Sequence, residues 1–199
     1  MNETGEEYRE DYREARLSQQ WWEKRQFTDC NFTEADLRGL RTRGCTFDGC
    51  DFTNVDLEGS RHDASAFRSC TFDRAILADS RWSSCSLLGS SFVDCRFTRI
   101  ALTECDLSLA SFARGRLRKL DLSKLRLREV NLTEADLTDS DLRGADLTGA
   151  RLIGAKLPGA DLRGTIIDAN GLLQADLRGA LVDIDLAAGF AAAHGLVVK

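Results

Sequence analysis

Ala135-Asp136-Leu137-Thr138-Asp139, Ser140-Asp141-Leu142-Arg143-Gly144 and Ala145-Asp146-Leu147-Thr148-Gly149 are three versions of one five-residue phrase. A small residue opens each version, an aspartate follows, and leucine stands third. Working outward from there, a large apolar residue recurs at every fifth position from Phe27 to Val182. Of those 32 positions only Thr42 and His62 break the rule. A period of five is neither the 3.6 of a helix nor the 2 of a strand. Fixed-period self-similarity of this length is the mark of a solenoid.

The phrase dictates a backbone. On an extended chain, positions two apart face the same way, so the small residue and the large one both point inward. The small position holds Cys30, Ala35, Cys45, Cys50, Ser60 and, later, Ala135, Ala145 and Ala155. The remaining positions point outward and are mostly Asp, Arg, Thr, Ser and Gly. Glycine gathers two residues after the large one, where a corner requires positive φ. Each phrase is then a short extended side plus a turn, and four of them close one square coil of 20 residues. Residues 20 apart stack at roughly 4.8 Å. Phe32, Phe52, Phe72, Phe92 and Phe112 therefore form one column, with Leu37, Leu57 and Leu77 on the opposite side. Eight coils make a rod of roughly 38 Å. Thr42, His62 and Trp82 share one side near the N-terminus, where irregular packing is expected.

The A(D/N)LXX form of these phrases resembles the signature of the pentapeptide-repeat family, over residues 27 to 182. That resemblance implies an all-β solenoid, a right-handed quadrilateral β-helix, here followed by a short C-terminal α-helix. The organisation expected is a charged N-terminal arm over 1–21, the repeat β-helix over 22–182, and a dimerisation helix and tail over 183–199. Trp21 and Trp22 would cover the open first coil. Asp183 or Asp185 suits an N-cap and Gly195 a stop, with Leu186, Phe190 and Ala193 on one helical face.

Composition narrows the function. The 199 residues carry 43% hydrophobic and 30% charged residues, with a net charge of −5. There is no long apolar span to cross a membrane. The opening Met1-Asn2-Glu3-Thr4-Gly5-Glu6-Glu7 is acidic where a secretory leader is basic and then apolar, so a cytoplasmic location is expected. All seven cysteines occupy the small inward position and read as buried thiols used like alanine; stacked in columns, they do not converge on a metal. His62 reads as a core residue. Gly144 to Gly149 has the spacing of a phosphate loop but lacks the Lys-Ser/Thr that follows one. No enzyme and no cofactor are expected, and the acidic balance disfavours nucleic-acid binding.

Two features point to partners. Ile153, Ile166, Leu173 and Leu181 are apolar in outward positions beside the terminal helix, as association surfaces are. Charge is also divided: residues 131–185 hold ten acidic and five basic side chains, whereas 21–130 hold 16 and 18. One side runs Arg41, Arg61, Arg81 and then Asp121, Asp141, Asp161. A tail-to-tail dimer about 80 Å long on the coil arithmetic would bring two acidic halves together. Duplex DNA of that length holds roughly 47 charges against the dimer's 10, so electrostatic imitation of DNA would be local.

Ala64-Ser65-Ala66-Phe67-Arg68-Ser69-Cys70-Thr71-Phe72, Leu87-Leu88-Gly89-Ser90-Ser91-Phe92-Val93 and Phe190-Ala191-Ala192-Ala193-His194-Gly195-Leu196 are similar to mycobacterial fluoroquinolone-resistance members of the family. That closer resemblance implies a homodimeric, DNA-shaped protein that binds and inhibits DNA gyrase and protects it from fluoroquinolones. It carries dimer contacts onto Leu186, Phe190 and Ala193, to be joined by Ile153, Leu173 and Leu181. It carries an acidic gyrase-binding surface onto Asp121, Asp136, Asp141, Asp146 and Asp161. The register leaves no room for the projecting loops of plasmid-borne relatives. The alternative is a cytosolic non-enzymatic scaffold for a different protein partner.

Overall fold

A computed structural model describes residues 6–198 and shows a four-sided parallel β-solenoid. Five-residue sides alternate an inward large residue with exposed neighbours, as in β2 (Trp21–Glu23), β3 (Gln26–Thr28), β4 (Arg41–Arg43), β5 (Thr46–Asp48), β6 (Arg61–Asp63) and β7 (Ala66–Arg68). With β1 (Glu6–Tyr8), β8 (Arg81–Ser83) and β9 (Ala101–Thr103) they form two stacks, β1-β3-β5-β7 and β2-β4-β6-β8-β9. Every register pairs residues 20 apart, Phe27 on Phe47 and Phe47 on Phe67 among them. Beyond Thr103 the ladder continues as single bridges. Along one edge Glu6, Gln26, Thr46, Ala66, Ser86, Asp106, Arg126, Asp146 and Ile166 mark nine stacked levels.

Two expectations fail at the N-terminal end. Residues 6–21 are not a loose arm but the first coil. β1 pairs with β3, Asp11 bridges Asn31 and Arg16 bridges Asp36. Tyr12 and Leu17 take the large inward position, Tyr12 stacking on Phe32 at 4.8 Å. The phrase survives there with tyrosine, leucine and a charged corner in place of its commoner residues, and parallel pairing needs only the alternation. Trp22 is likewise a buried centre within β2, whereas Trp21 faces outward. The part of the arm at residues 1–5 lies outside the described residues.

Nor is the side holding Thr42, His62 and Trp82 irregular. The three stack in strict register within β4, β6 and β8. Polar groups there satisfy one another: Thr42 Oγ1 lies 2.9 Å from His62 Nδ1, Ser60 Oγ lies 3.0 Å from His62 Nε2, and Trp82 Nε1 donates to Ser80 Oγ at 2.9 Å. Among the described residues, no buried side-chain nitrogen or oxygen lacks a partner.

The core is aromatic toward the N-terminus and aliphatic beyond it. Phe32, Phe52, Phe72, Phe92 and Phe112 stack with near-parallel rings, centroids 4.9, 4.9, 5.0 and 4.9 Å apart. A second stack, Phe27–Phe47–Phe67, adds spacings of 4.7 and 4.4 Å and meets the first edge-on. Such pairs contribute about 0.5–1.5 kcal/mol each beyond burial. From Leu132 onward leucine replaces them. The corner residue adopts positive φ whatever its identity, from Gly59 at +67° to Leu109 at +60°. All seven thiols are buried and unpaired.

The coil ends in a turn and a helix. A 3-10 turn over Ala169–Leu172 displaces the ladder locally, so that Gly154 N–H donates to the Gln174 carbonyl instead of that of Leu173, and the register of 20 resumes at Lys156 and Asp176. Asp183 caps α1 (Ile184–Ala193), accepting from Leu186 N at 2.9 Å and from Gly164 N at 2.8 Å. That second bond ties the cap to the coil below. Gly195, at φ +81°, stops the helix.

Candidate docking surfaces

Asp121, Asp141 and Asp161 do form one column, bridged in sequence along one side. Their position immediately before the large residue explains what they do locally. Each Oδ1 accepts the backbone N–H two residues on, from Ser123, Arg143 and Arg163 respectively, which closes the corner. Two of the three are also neutralised. Arg143 Nη2 lies 2.5 Å from Asp141 Oδ2, and Arg163 Nη2 lies 2.6 Å from Asp161 Oδ2. These guanidinium bonds hold both carboxyls below the usual carboxylate range. Arg143 reaches Asp161 as well, at 3.7 Å.

Asp136 and Asp146 stand on two other sides of the tube. Burial works to raise Asp136, but the Thr138 hydroxyl and amide and the Arg118 guanidinium outweigh it and leave it lowered. Asp146 is lowered chiefly by the Thr148 hydroxyl, 2.6 Å away. The five aspartates expected to make one acidic surface are thus spread over three sides, and of the five only Asp121 is exposed and without an ion pair. The freer negative charge sits at corners, on exposed Glu129, Glu134 and Asp139, successive corners of one coil. Sequence reasoning passed over them. Their signal was the position two after the large residue, which points straight out.

The six residues expected at the dimer seam do not form one patch. Ile153 and Leu173 are exposed on one side, and Leu181 on the opposite side. Leu186 and Phe190 fold back onto the last coil and pack against its core, with Ala193 half-buried. The apolar side chains left open near this end include Ile184, 86% exposed, and Ile166, Leu181, Val182, Leu196, Val197 and Val198.

No group of three or more metal-ligating side chains occurs among the described residues, and no helix of theirs is long and apolar enough to cross a membrane. Burial pushes the His62 imidazole down to about 3, so it is a neutral packing element against Trp82, ring centroids 4.0 Å apart.

A five-residue phrase stacked into a four-sided tube is the geometry of one family. The profile of the pentapeptide repeats matches in eight copies, over residues 26–61, 90–128, 105–144, 126–164 and 145–181. The chain belongs to the pentapeptide-repeat family. No curated protein sequence matches it. Among solved structures it resembles a trypsin-treated form of QnrB1, a plasmid-mediated fluoroquinolone resistance protein, with a TM-score of 0.83, 22% identity, and coverage of 98% of this chain and 97% of that one. Full-length QnrB1 gives a TM-score of 0.55 at 23% identity over 96% and 97% of the two chains. HetL, a pentapeptide repeat protein involved in heterocyst differentiation regulation in the cyanobacterium Nostoc, gives 0.55 at 22% identity over 89% and 88%. At these identities the likeness is one of fold.

Proposed function

We propose that this rod is a non-enzymatic protein that binds DNA gyrase in the place of duplex DNA and thereby modulates inhibition by fluoroquinolones or similar gyrase poisons, acting in the cytoplasm. The observation that carries the reading is the stiff cylinder with carboxylates repeating at ladder spacing along one side of its C-terminal half, Asp121, Asp141 and Asp161, with Asp139 at an adjoining corner and Glu134 and Glu129 at the next two corners of the same coil. The near end-to-end superposition on QnrB1 supports it. A groove built for phosphates takes such a cylinder by shape and local charge. The test is a gyrase supercoiling titration with wild type and with Asp121, Glu129, Glu134 and Asp139 changed to Lys. Wild type inhibits supercoiling and alters drug-stabilised cleavage, and the variant loses both. Unchanged supercoiling, ATP turnover and cleavage with wild type would sink the reading.

A homodimer joined at the C-terminal end belongs to the same proposal. Its support is the number of apolar side chains left open near this end, Ile184 foremost. Because Phe190 packs on its own coil, Ile184→Glu is the cleaner test: the variant should sediment as a folded monomer, and a persistent dimer removes this seam.

A second reading, a scaffold for a different protein partner, is favoured by the Arg143 and Arg163 pairs, which mute the aspartate column. It predicts that gyrase stays inert to both wild type and the charge-reversed variant.

A further inference from the structure

Apart from the 3-10 turn near the C-terminal end, the ladder is interrupted at one place. Between the levels of residues 94–104 and 114–124 the bridges that register requires, Arg96 to Arg116 and Ala101 to Asp121, are missing among the described residues. The N–H groups of Phe97, Arg99, Leu102, Arg116 and Asp121 find no backbone acceptor across the gap, although their counterparts one coil below or above are bonded. The ladder is closed again at Ser91–Ser111 on one flank and at Arg126 N to Cys105 O, stretched to 3.4 Å, on the other.

Two causes act together. Ile100, Leu120 and Leu125 occupy the inward position that holds a small residue in most phrases, and Ile100, Leu102 and Leu120 stay only partly buried beside an apolar void lined by Phe97, Phe112 and Leu117. Outside, register sets Arg96 beneath Arg116 and Arg99 beneath Lys119, like charges directly opposed on neighbouring levels. The result is a cleft of about 850 Å³ in which six cations, Arg96, Arg99, Arg114, Arg116, Arg118 and Lys119, outnumber the two carboxylates of Asp94 and Asp121. Arg99 is paired to Asp79 and Arg118 to Asp136, but no carboxylate lies within 4.0 Å of Arg96, Arg114, Arg116 or Lys119 among the described residues. A concentration of uncompensated cations around unpaired N–H donors is at odds with a rod that serves only as an acidic surface.

We propose that this cleft is a binding site for an oligophosphate, a chain of two or more linked phosphoryl groups. Guanidinium forks match phosphate oxygens two at a time, and five of the six rim cations are arginine. The idle N–H groups of Arg116 and Asp121 supply neutral donors of the kind that anion-binding backbone presents. The volume suits a ligand much larger than one phosphate. Binding relieves the opposition of Arg96 and Arg116, so the occupied cleft stabilises the rod at its open level. The site shares Asp121 with the proposed gyrase-binding surface, but it is read with a different ligand, so its failure and that of the gyrase reading are distinguishable.

Calorimetric titration of the full chain with sodium tripolyphosphate tests the site, with ATP as a second arm to tell a free oligophosphate from a nucleotide's tail, and citrate and an acidic peptide as carboxylate controls. Tripolyphosphate should bind with one-to-one stoichiometry and outcompete citrate. Arg96→Gln with Arg116→Gln should weaken binding by roughly tenfold or more, whereas Arg41→Gln with Arg61→Gln, on the basic column of the first coils, should leave it unchanged. Absence of heat, equal loss in both variants, or tighter binding of the peptide or citrate overturns the proposal. Amide hydrogen exchange gives an independent check on the cleft. The Arg116 and Asp121 amides should exchange far faster than those of Asp136 and Asp141 and slow on adding tripolyphosphate; equal protection in the free protein would also overturn it.

Discussion

Lowering the pH from about 7.5 to about 5 should weaken this fold through one residue, His62. Its ring is fully enclosed, bonded to Thr42 and Ser60 and packed on Trp82. Burial pushes its pKa down to about 3, whereas an unfolded chain protonates histidine near about 6.5. The sign follows directly. The folded state refuses a proton that the unfolded state accepts, so the contribution is intact above about 6.5 and is lost as pH falls toward about 3. The slope is about 1.4 kcal/mol per pH unit well below 6.5, which gives a loss of about 2 kcal/mol by pH 5. Asp141 and Asp161, lowered by their arginine partners, add their own loss only below about pH 4, so the window above belongs to His62. Urea denaturation followed by circular dichroism at several pH values measures the slope. His62→Leu supplies the control, because leucine fills the same column at Leu102 and Leu122. It leaves the Thr42 and Ser60 hydroxyls short of a partner and costs about 1–3 kcal/mol at every pH, but the slope between 5 and 6.5 should vanish. A wild type with flat stability across that window, or a variant that keeps the slope, would refute the reasoning.

Other outcomes follow from the same packing. Burial pushes the Cys95 thiol up to about 12 and that of Cys30 up to about 11, so Ellman's reagent should label none of the cysteines in the native protein and all seven after denaturation; rapid native labelling would contradict the enclosed columns. Phe72→Ala removes a ring stacked between Phe52 and Phe92 and should cost about 3–5 kcal/mol in chemical denaturation, with Phe72→Leu costing less than half of that. Gly59→Ala tests the corner alone: at φ +67° the added methyl meets nothing within 4 Å, so a loss of about 1 kcal/mol measures left-handed strain without a clash. A neutral result there would mean that the corner, not the residue, sets the conformation.

The fold was legible because a stacked solenoid writes its geometry along the chain: the side that a residue faces depends on its place in a phrase of five, and its neighbour lies 20 residues on. Leu137, Leu142 and Leu147 sufficed to place every later phrase, and Phe32 to Phe112 announced their stack. The first coil escaped notice because Glu7, Tyr12 and Leu17 carry the alternation with fewer of the commoner residues. Pairing with β3 and with Asn31 and Asp36 rescues it, and that is a contact across coils.

The surface was less legible, since the meaning of an outward charge depends on its neighbours. Asp141 and Asp161 read as free acids until Arg143 and Arg163 are seen folded over them. Phe190 read as a seam residue until the 3-10 turn at Ala169 gives it a coil to cover. The break between Arg96 and Arg116 has no local signature at all. It arises where bulky Ile100 and Leu120 stack on adjacent levels of the tube beside opposed cations. Period and inward pattern are properties of single phrases, so the amino-acid sequence alone determined the rod; charge pairing, the covered helix and the open level are properties of stacked phrases, and only the tertiary structure decided those.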